Sequence, residues 1–253
     1  VAVVVLVGLT LGGLALGGVF DRGPTEAEKQ AQAKAAALTR KQDELKPRFE
    51  ALMTQRAAFF TAERQYLPAM KRAKASVAAY NKKVKAAQDE NERISAAYAP
   101  AFAQCAQYSY VNCPDPDYAE FPDAPDVDDE VKQLTTVANS MTSLKAELVG
   151  IQATGDLATA YAQLQSAVEI LGQDAKENVT ILNEAVTLPD EGDGGGYVDK
   201  AKLKALNGND SLPTVKQMNA TLVRILKDAQ IPMGSYDLPG GQDLDPADHS
   251  RSV

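Results

Sequence analysis

The chain has 253 residues, a net charge of −8 at neutral pH, two cysteines and one histidine. The sole histidine, His249, sits in a Pro- and Gly-punctuated stretch, and no glycine-rich phosphate loop, nucleophile elbow or zinc-helix motif is present, so the common hydrolytic, phosphoryl-transfer and zinc chemistries are set aside. The charge is uneven: residues 24–100 carry 15 Lys or Arg against 9 Asp or Glu, and residues 101–253 carry 10 against 24.

Residues 1–20 form an apolar run without a charged side chain. About twenty residues is what a helix needs to cross a roughly 30 Å hydrocarbon layer, so the run reads as a transmembrane anchor. The rival is a cleaved secretory signal, for which Ala15-Leu16-Gly17 would supply the cleavage site. Gly8 with Gly12, and Gly13 with Gly17, are spaced as GxxxG, which offers a face for a homodimer of closely packed membrane helices, the alternative being the ordinary abundance of glycine in such helices.

Residues 25–99 carry a seven-residue repeat. Leu38, Gln42, Leu45, Phe49, Leu52, Arg56, Phe59, Glu63, Tyr66, Met70, Ala73, Val77, Tyr80, Val84, Ala87, Asn91, Ile94 and Tyr98 fall on one stripe, and fourteen of the eighteen are apolar or aromatic. A 3.5-residue spacing held this long keeps one seam against a partner helix, as in a coiled coil. Pro47 and Pro68 interrupt the run without resetting its phase, which predicts kinks, with an end at Lys46 or Leu67 as the alternative. The aromatic members read as core rather than as the lining of a ligand groove. Arg56 and Glu63 would either pair with charges on a returning arm or mark a stretch where a third helix or a partner docks.

The pattern fails over residues 100–126, where five prolines occur and eight acids lie between Asp115 and Glu130. Here Cys105 and Cys113 are placed to close a short disulfide loop, which points to an extracytoplasmic location. A metal site is disfavoured, because two thiolates with no histidine nearby fall short of four ligands. A second helix follows with Leu134, Val137, Met141, Leu144, Leu148 and Ile151 in register, its start marked by acids at 126, 128, 129 and 130. Thr154-Gly155-Asp156 reads as a glycine stop and a fresh cap. A third helix carries Leu157, Tyr161, Leu164, Val168, Leu171, Ala175 and Leu182. If the arms pair from the middle of the loop, Gly155 falls opposite Lys71, close to Pro68, which predicts a hinge at Pro68 and Gly155.

Residues 189–196 are a glycine-rich flexible linker, residues 197–232 hold short helices with Val215, Met218, Leu222, Ile225 and Leu226 on one face, and residues 233–253 read as a disordered acidic tail. The acids of Asp115 and Asp117, of Asp190 and Asp193, and of Asp243, Asp245 and Asp248 lack the ligand order of an EF-hand. Asn178-Val-Thr180, Asn209-Asp-Ser211 and Asn219-Ala-Thr221 match the glycosylation pattern.

These readings predict an all-α protein: a single-pass transmembrane helix at 1–20, an antiparallel helical hairpin, coiled coil or elongated bundle over 25–188, and a short C-terminal helix. Opposite charge on the two arms would favour their pairing. The lysines of the basic half are interleaved with acids and accompany no reading motif, so nucleic acid is not an expected partner. With no catalytic, cofactor or metal residues to assign, the expectation is a non-enzymatic scaffold or interaction protein of the cell envelope, its bulk extracytoplasmic, engaging another envelope or membrane protein. The alternatives are a helical-bundle ligand-binding or sensory module, and an accessory subunit of a larger membrane complex.

Overall fold

Residues 26–106 contain no glycine, and three prolines are their only strong helix breakers. They form one helix. The computed structural model describes residues 25–107, 113, 115–186, 206, 211–232 and 236. In it α1 runs Glu26–Ala106 with Pro47, Pro68 and Pro100 inside. All three prolines are exposed, and so are Arg64 and Ala96, whose carbonyls Pro68 and Pro100 leave without a helical donor, so water can take those bonds. The alternative ends at Lys46 and Leu67 are not used. The expected turn at residue 100 is also corrected, because the helix continues six residues beyond Pro100 through the alanine-rich stretch to Ala106.

The other helices among the described residues are α2 (Asp128–Val149), α3 (Gly155–Val186) and α4 (Leu212–Asp228), and the described residues hold no strand. The chain divides into two compact units, Val1–Glu44 and Leu45–Val253. In the first, the helix start is a capping box: the Thr25 backbone N–H donates to Glu28 Oε2 at 2.7 Å, and the Glu28 N–H donates to Thr25 Oγ1 at 3.3 Å. The bonds from Thr25 hold the exposed Glu28 carboxyl below its ordinary value. The transmembrane expectation for residues 1–20, with Gly8, Gly12, Gly13 and Gly17, lies outside the described residues. No described helix is long and apolar enough to cross a membrane.

In the second unit the heptad stripe does what its spacing requires. Every stripe position from Phe49 to Ala87 is buried, and only Ala62 and Ala69 join them from the neighbouring row of α1. Of the predicted apolar positions, Leu134, Val137, Met141, Leu144 and Leu148 of α2 are buried, as are all seven named on α3 and all five on α4. These side chains form one continuous core.

Cross-helix bonds fix the directions. Arg72 Nε donates to Glu130 Oε1 at 2.9 Å, which sets the start of α2 at the level of Arg72. The turn after α2, residues 151–153, lies beside Pro47, Arg48 and Ala51, so α2 runs antiparallel to α1. The Tyr161 hydroxyl donates to the Arg48 carbonyl, and Asn178 Nδ2 donates to Tyr66 Oη, so α3 climbs parallel to α1 at an almost constant offset. Arg56 Nε donates to Asn219 Oδ1, and Arg224 pairs with Asp156 at 3.0 Å, so α4 descends again. The result is an up-down-up-down four-helix bundle built on the middle of α1.

Of the architectures expected over 25–188 this is the bundle rather than the single hairpin, and it holds Gly155 away from Pro68. Gly155 follows a turn that packs by Pro47, not Pro68. The reason is the loop: between Ala119, held by Asn91, and Glu130, held by Arg72, eleven residues cover the ground of nineteen in α1. At 1.5 Å per helical residue that is about 28 Å, so the largely non-helical return advances roughly 2.6 Å per residue and shifts all later pairing down α1. Gly155 has φ +60°, a left-handed conformation that favours glycine at the start of α3. Gly172 matters for a different reason: a Cβ there would lie 3.0 Å from Met141 Cβ, so its missing side chain lets α2 and α3 approach closely.

Two substitutions test this packing. Pro68→Ala restores a helix donor on an exposed face, and chemical denaturation should show a gain in stability of up to about 3 kcal/mol; a loss would mean that the bundle depends on the proline. Gly172→Val forces β-carbon bulk into the α2–α3 seam and should lower the melting temperature, with a cost of about 1–3 kcal/mol.

Candidate functional site

Three places in the second unit depart from an ordinary bundle interior. The first is a set of polar side chains inside the core. Arg56 is 8% exposed and Glu63 7% exposed on the α1 stripe, and α4 packs at the level of Arg56. The Arg56 guanidinium bonds Asn219 at 3.1 Å and lies 4.6 Å from the Phe60 ring centroid. Of the alternatives offered for this polar stretch, Arg56 meets a further helix, α4, rather than a charge on α2 or α3 in this bond. One turn beyond Glu63, the fully buried Tyr66 accepts from Asn178 at 2.8 Å. Asn178 and Asn219 are also the first residues of two glycosylation patterns. At 2% and 3% exposure, both are core side chains that tie α3 and α4 to α1. Asn209, first residue of the third pattern, lies outside the described residues.

The second is a cleft of about 240 Å³ at the α2–α3 turn, lined by Pro47, Arg48, Ala51, Ile151, Gln152, Ala153 and Tyr161. Burial pushes the Tyr161 phenol above its ordinary value, so it stays a neutral donor to the Arg48 carbonyl.

The third is the far end of α1. Cys105 and Cys113 form a disulfide pair, sulfurs 2.08 Å and Cα atoms 5.6 Å apart, and the chain then runs back along α1. Asn91 holds it there with both ends of its amide: the Ala119 N–H donates to Oδ1 at 2.6 Å, and Nδ2 donates to the Ala119 carbonyl at 3.1 Å. Ser95 Oγ donates to Tyr118 Oη at 3.2 Å. Ser95, Tyr98 and Phe102 follow one another at helical spacing, and the rings of Tyr98 and Phe102 are 5.9 Å apart. Tyr118 is 49% and Phe102 43% exposed, and the chain neighbours of Tyr118 include the exposed acids Asp115, Asp117 and Glu120. The Tyr98 hydroxyl is buried without a hydrogen-bond partner among the described residues.

Of the residues assigned from sequence, Cys105 and Cys113 are brought together as expected. Pro68 and Gly155 are not, and Gly8, Gly12, Gly13 and Gly17 are outside the described residues. The sequence reading missed Asn91, Asn178 and Asn219 as structural polar groups. A polar residue at a core heptad position was the available signal for Asn91. Tyr236, assigned to the disordered tail, instead packs its ring edgewise on Phe49 at 4.7 Å. Its phenol is pushed up by burial and by the Glu50 carboxylate. No group of three or more His, Cys, Asp or Glu side chains able to hold a metal ion occurs among the described residues. Comparison of the chain with protein-family models, curated proteins and solved structures finds no match.

The Arg56–Asn219 bond is testable by a double-mutant cycle. Arg56→Ala and Asn219→Ala should each destabilise the protein by about 1–3 kcal/mol, and the pair should show a coupling energy of about 1–2 kcal/mol in denaturant unfolding. Additive losses would mean that the two side chains act independently.

Proposed function

We propose that this chain is a non-enzymatic scaffold held at the cell membrane by residues 1–20, with its helical bulk outside the cytoplasm, where it engages another envelope or membrane protein. The observation that carries the reading is the Cys105–Cys113 pair, because a disulfide persists in an oxidising compartment and seldom in the cytosol. The uncharged apolar run supplies the anchor of the required length. The far end of α1 supplies the surface: half-exposed aromatic rings lie beside a chain segment that follows the Cys105–Cys113 pair and that Asn91 clamps to the helix.

A ligand-binding bundle is the second reading, and the cleft beside Pro47 is its support. At about 240 Å³ that cleft falls below the usual 300–1,000 Å³ of small-molecule sites, which favours the scaffold. An accessory role in a larger membrane complex uses the same surface and differs only in how permanent the partnership is.

The test is a maleimide-labelling assay on the full chain in intact cells with membrane fractionation. The protein should sediment with membranes and resist alkylation until a reductant is added, then take up two labels. Free labelling without reductant, or recovery in the cytosolic fraction, contradicts the proposal.

A further inference from the structure

The disulfide-closed end of α1 carries a charge and a chemistry that specify a kind of partner, and we propose that it binds a lysine- or arginine-rich protein segment. This inference rests on reading that end as a recognition surface. Between Arg93 and Lys132 the sequence contains no Lys or Arg and eight Asp or Glu. Three of them lie at this end and are exposed, Asp115, Asp117 and Glu120, whereas Asp123 and Asp126 fall at the level of Lys82, Lys83 and Lys85 further down α1 and Glu130 is buried against Arg72. The three exposed acids lie on a segment whose backbone is held to α1 by the two hydrogen bonds of Asn91 and whose side chain Tyr118 is held by Ser95. An acidic stretch alone is a solvated loop. This one runs beside a row of rings, Tyr118, Tyr98 and Phe102, of which Tyr118 is 49% and Phe102 43% exposed. From Ser95 to Phe102 the row extends about 10 Å along the helix.

Exposed aromatic rings beside an acidic segment attract a cation twice, through the ring quadrupole and through net charge. The sign of the charge chooses among classes of partner: nucleic acid and anionic bilayers are repelled, and a cationic peptide is drawn in. A cationic segment with apolar stems, as Lys and Arg have, would lay its methylenes on the rings and its charges among the acids.

The test uses the full oxidised chain in zwitterionic detergent and fluorescein-labelled decalysine, with decaglutamate as the opposite-charge control, read by fluorescence anisotropy. Decalysine should bind and decaglutamate should not. Asp115→Asn, Asp117→Asn and Glu120→Gln together should weaken binding about tenfold or more, whereas Glu147→Gln, Glu177→Gln and Asp228→Asn, the same charge change on the bundle surface, should change it less than twofold. The charge-neutral pair Phe102→Leu and Tyr118→Leu should weaken binding about fivefold to tenfold. On the unaltered protein, hydroxyl-radical footprinting should show Phe102 and Tyr118 protected by decalysine, which keeps the test decisive if a variant fails to fold. Equal loss from both sets of acid substitutions, no effect of the aromatic pair, or no protection in the footprint overturns the proposal. So does self-association by sedimentation that the tip substitutions abolish, since the occupant would then be a second copy. Thiol status is read separately, so a failure here with locked thiols leaves the envelope reading standing.

Discussion

The second unit depends on one continuously buried and mostly apolar stripe. Twelve successive core positions of α1, Phe49 to Ala87, are all buried, and each of the other helices is placed by what that stripe needs covered. A helix of this length cannot bury its own seam, and removing any of the large members such as Phe59 or Tyr66 would leave a cavity shared by several helices. The ion pairs contribute far less. Arg72–Glu130, Lys145–Glu169 and Arg224–Asp156 join different helices, but their cations are roughly half exposed, and pairs of that kind are worth about 0–1 kcal/mol each. Two of the three lie entirely within the acidic part of the sequence, between α2 and α3 and between α3 and α4. Apolar burial, far more than opposite charge, therefore holds the arms together.

The stripe explains where polar groups enter the core. Arg56 and Asn178 with Tyr66 sit at levels where two helices meet α1, and each forms a bond that a shift of one turn would break. Buried polar pairs of this kind cost desolvation and give register in return, which is the use a bundle with otherwise interchangeable Leu and Ala surfaces has for them. The same logic applies to Asn91 beyond the bundle. There the cover is an extended chain rather than a helix, and a side-chain amide supplies the pairing that a backbone ladder would otherwise provide.

Much of this is legible in the sequence, for identifiable reasons. Periodicity locates every described helix of the second unit, because burial on one face leaves a 3.5-residue mark that survives Pro47 and Pro68. The cysteine spacing locates the disulfide. What periodicity does not encode is direction and level. An antiparallel pairing of α1 with α3 follows only if the return arm is helical from the loop onward, and the extended stretch between Ala119 and Val127 moves every subsequent contact. Tyr236 is illegible for a related reason, since a single ring docking on Phe49 leaves no pattern in a Pro- and Gly-rich segment. Asn178 and Asn219 carry a misleading pattern, a three-residue acceptor motif that arises by chance on a buried helix face.

The parallel course of α1 and α3 is the claim on which the rest turns, and one distance decides it. With the native cysteines paired, nitroxide labels at Lys71→Cys and Thr154→Cys, both exposed positions, can be measured by double electron–electron resonance. The turn beside Pro47 and Arg48 puts the two sites about 35 Å apart along α1, at 1.5 Å per residue. A distance distribution centred near 35 Å is the predicted result, and one centred below about 20 Å, as a simple end-to-end hairpin requires, would contradict the bundle.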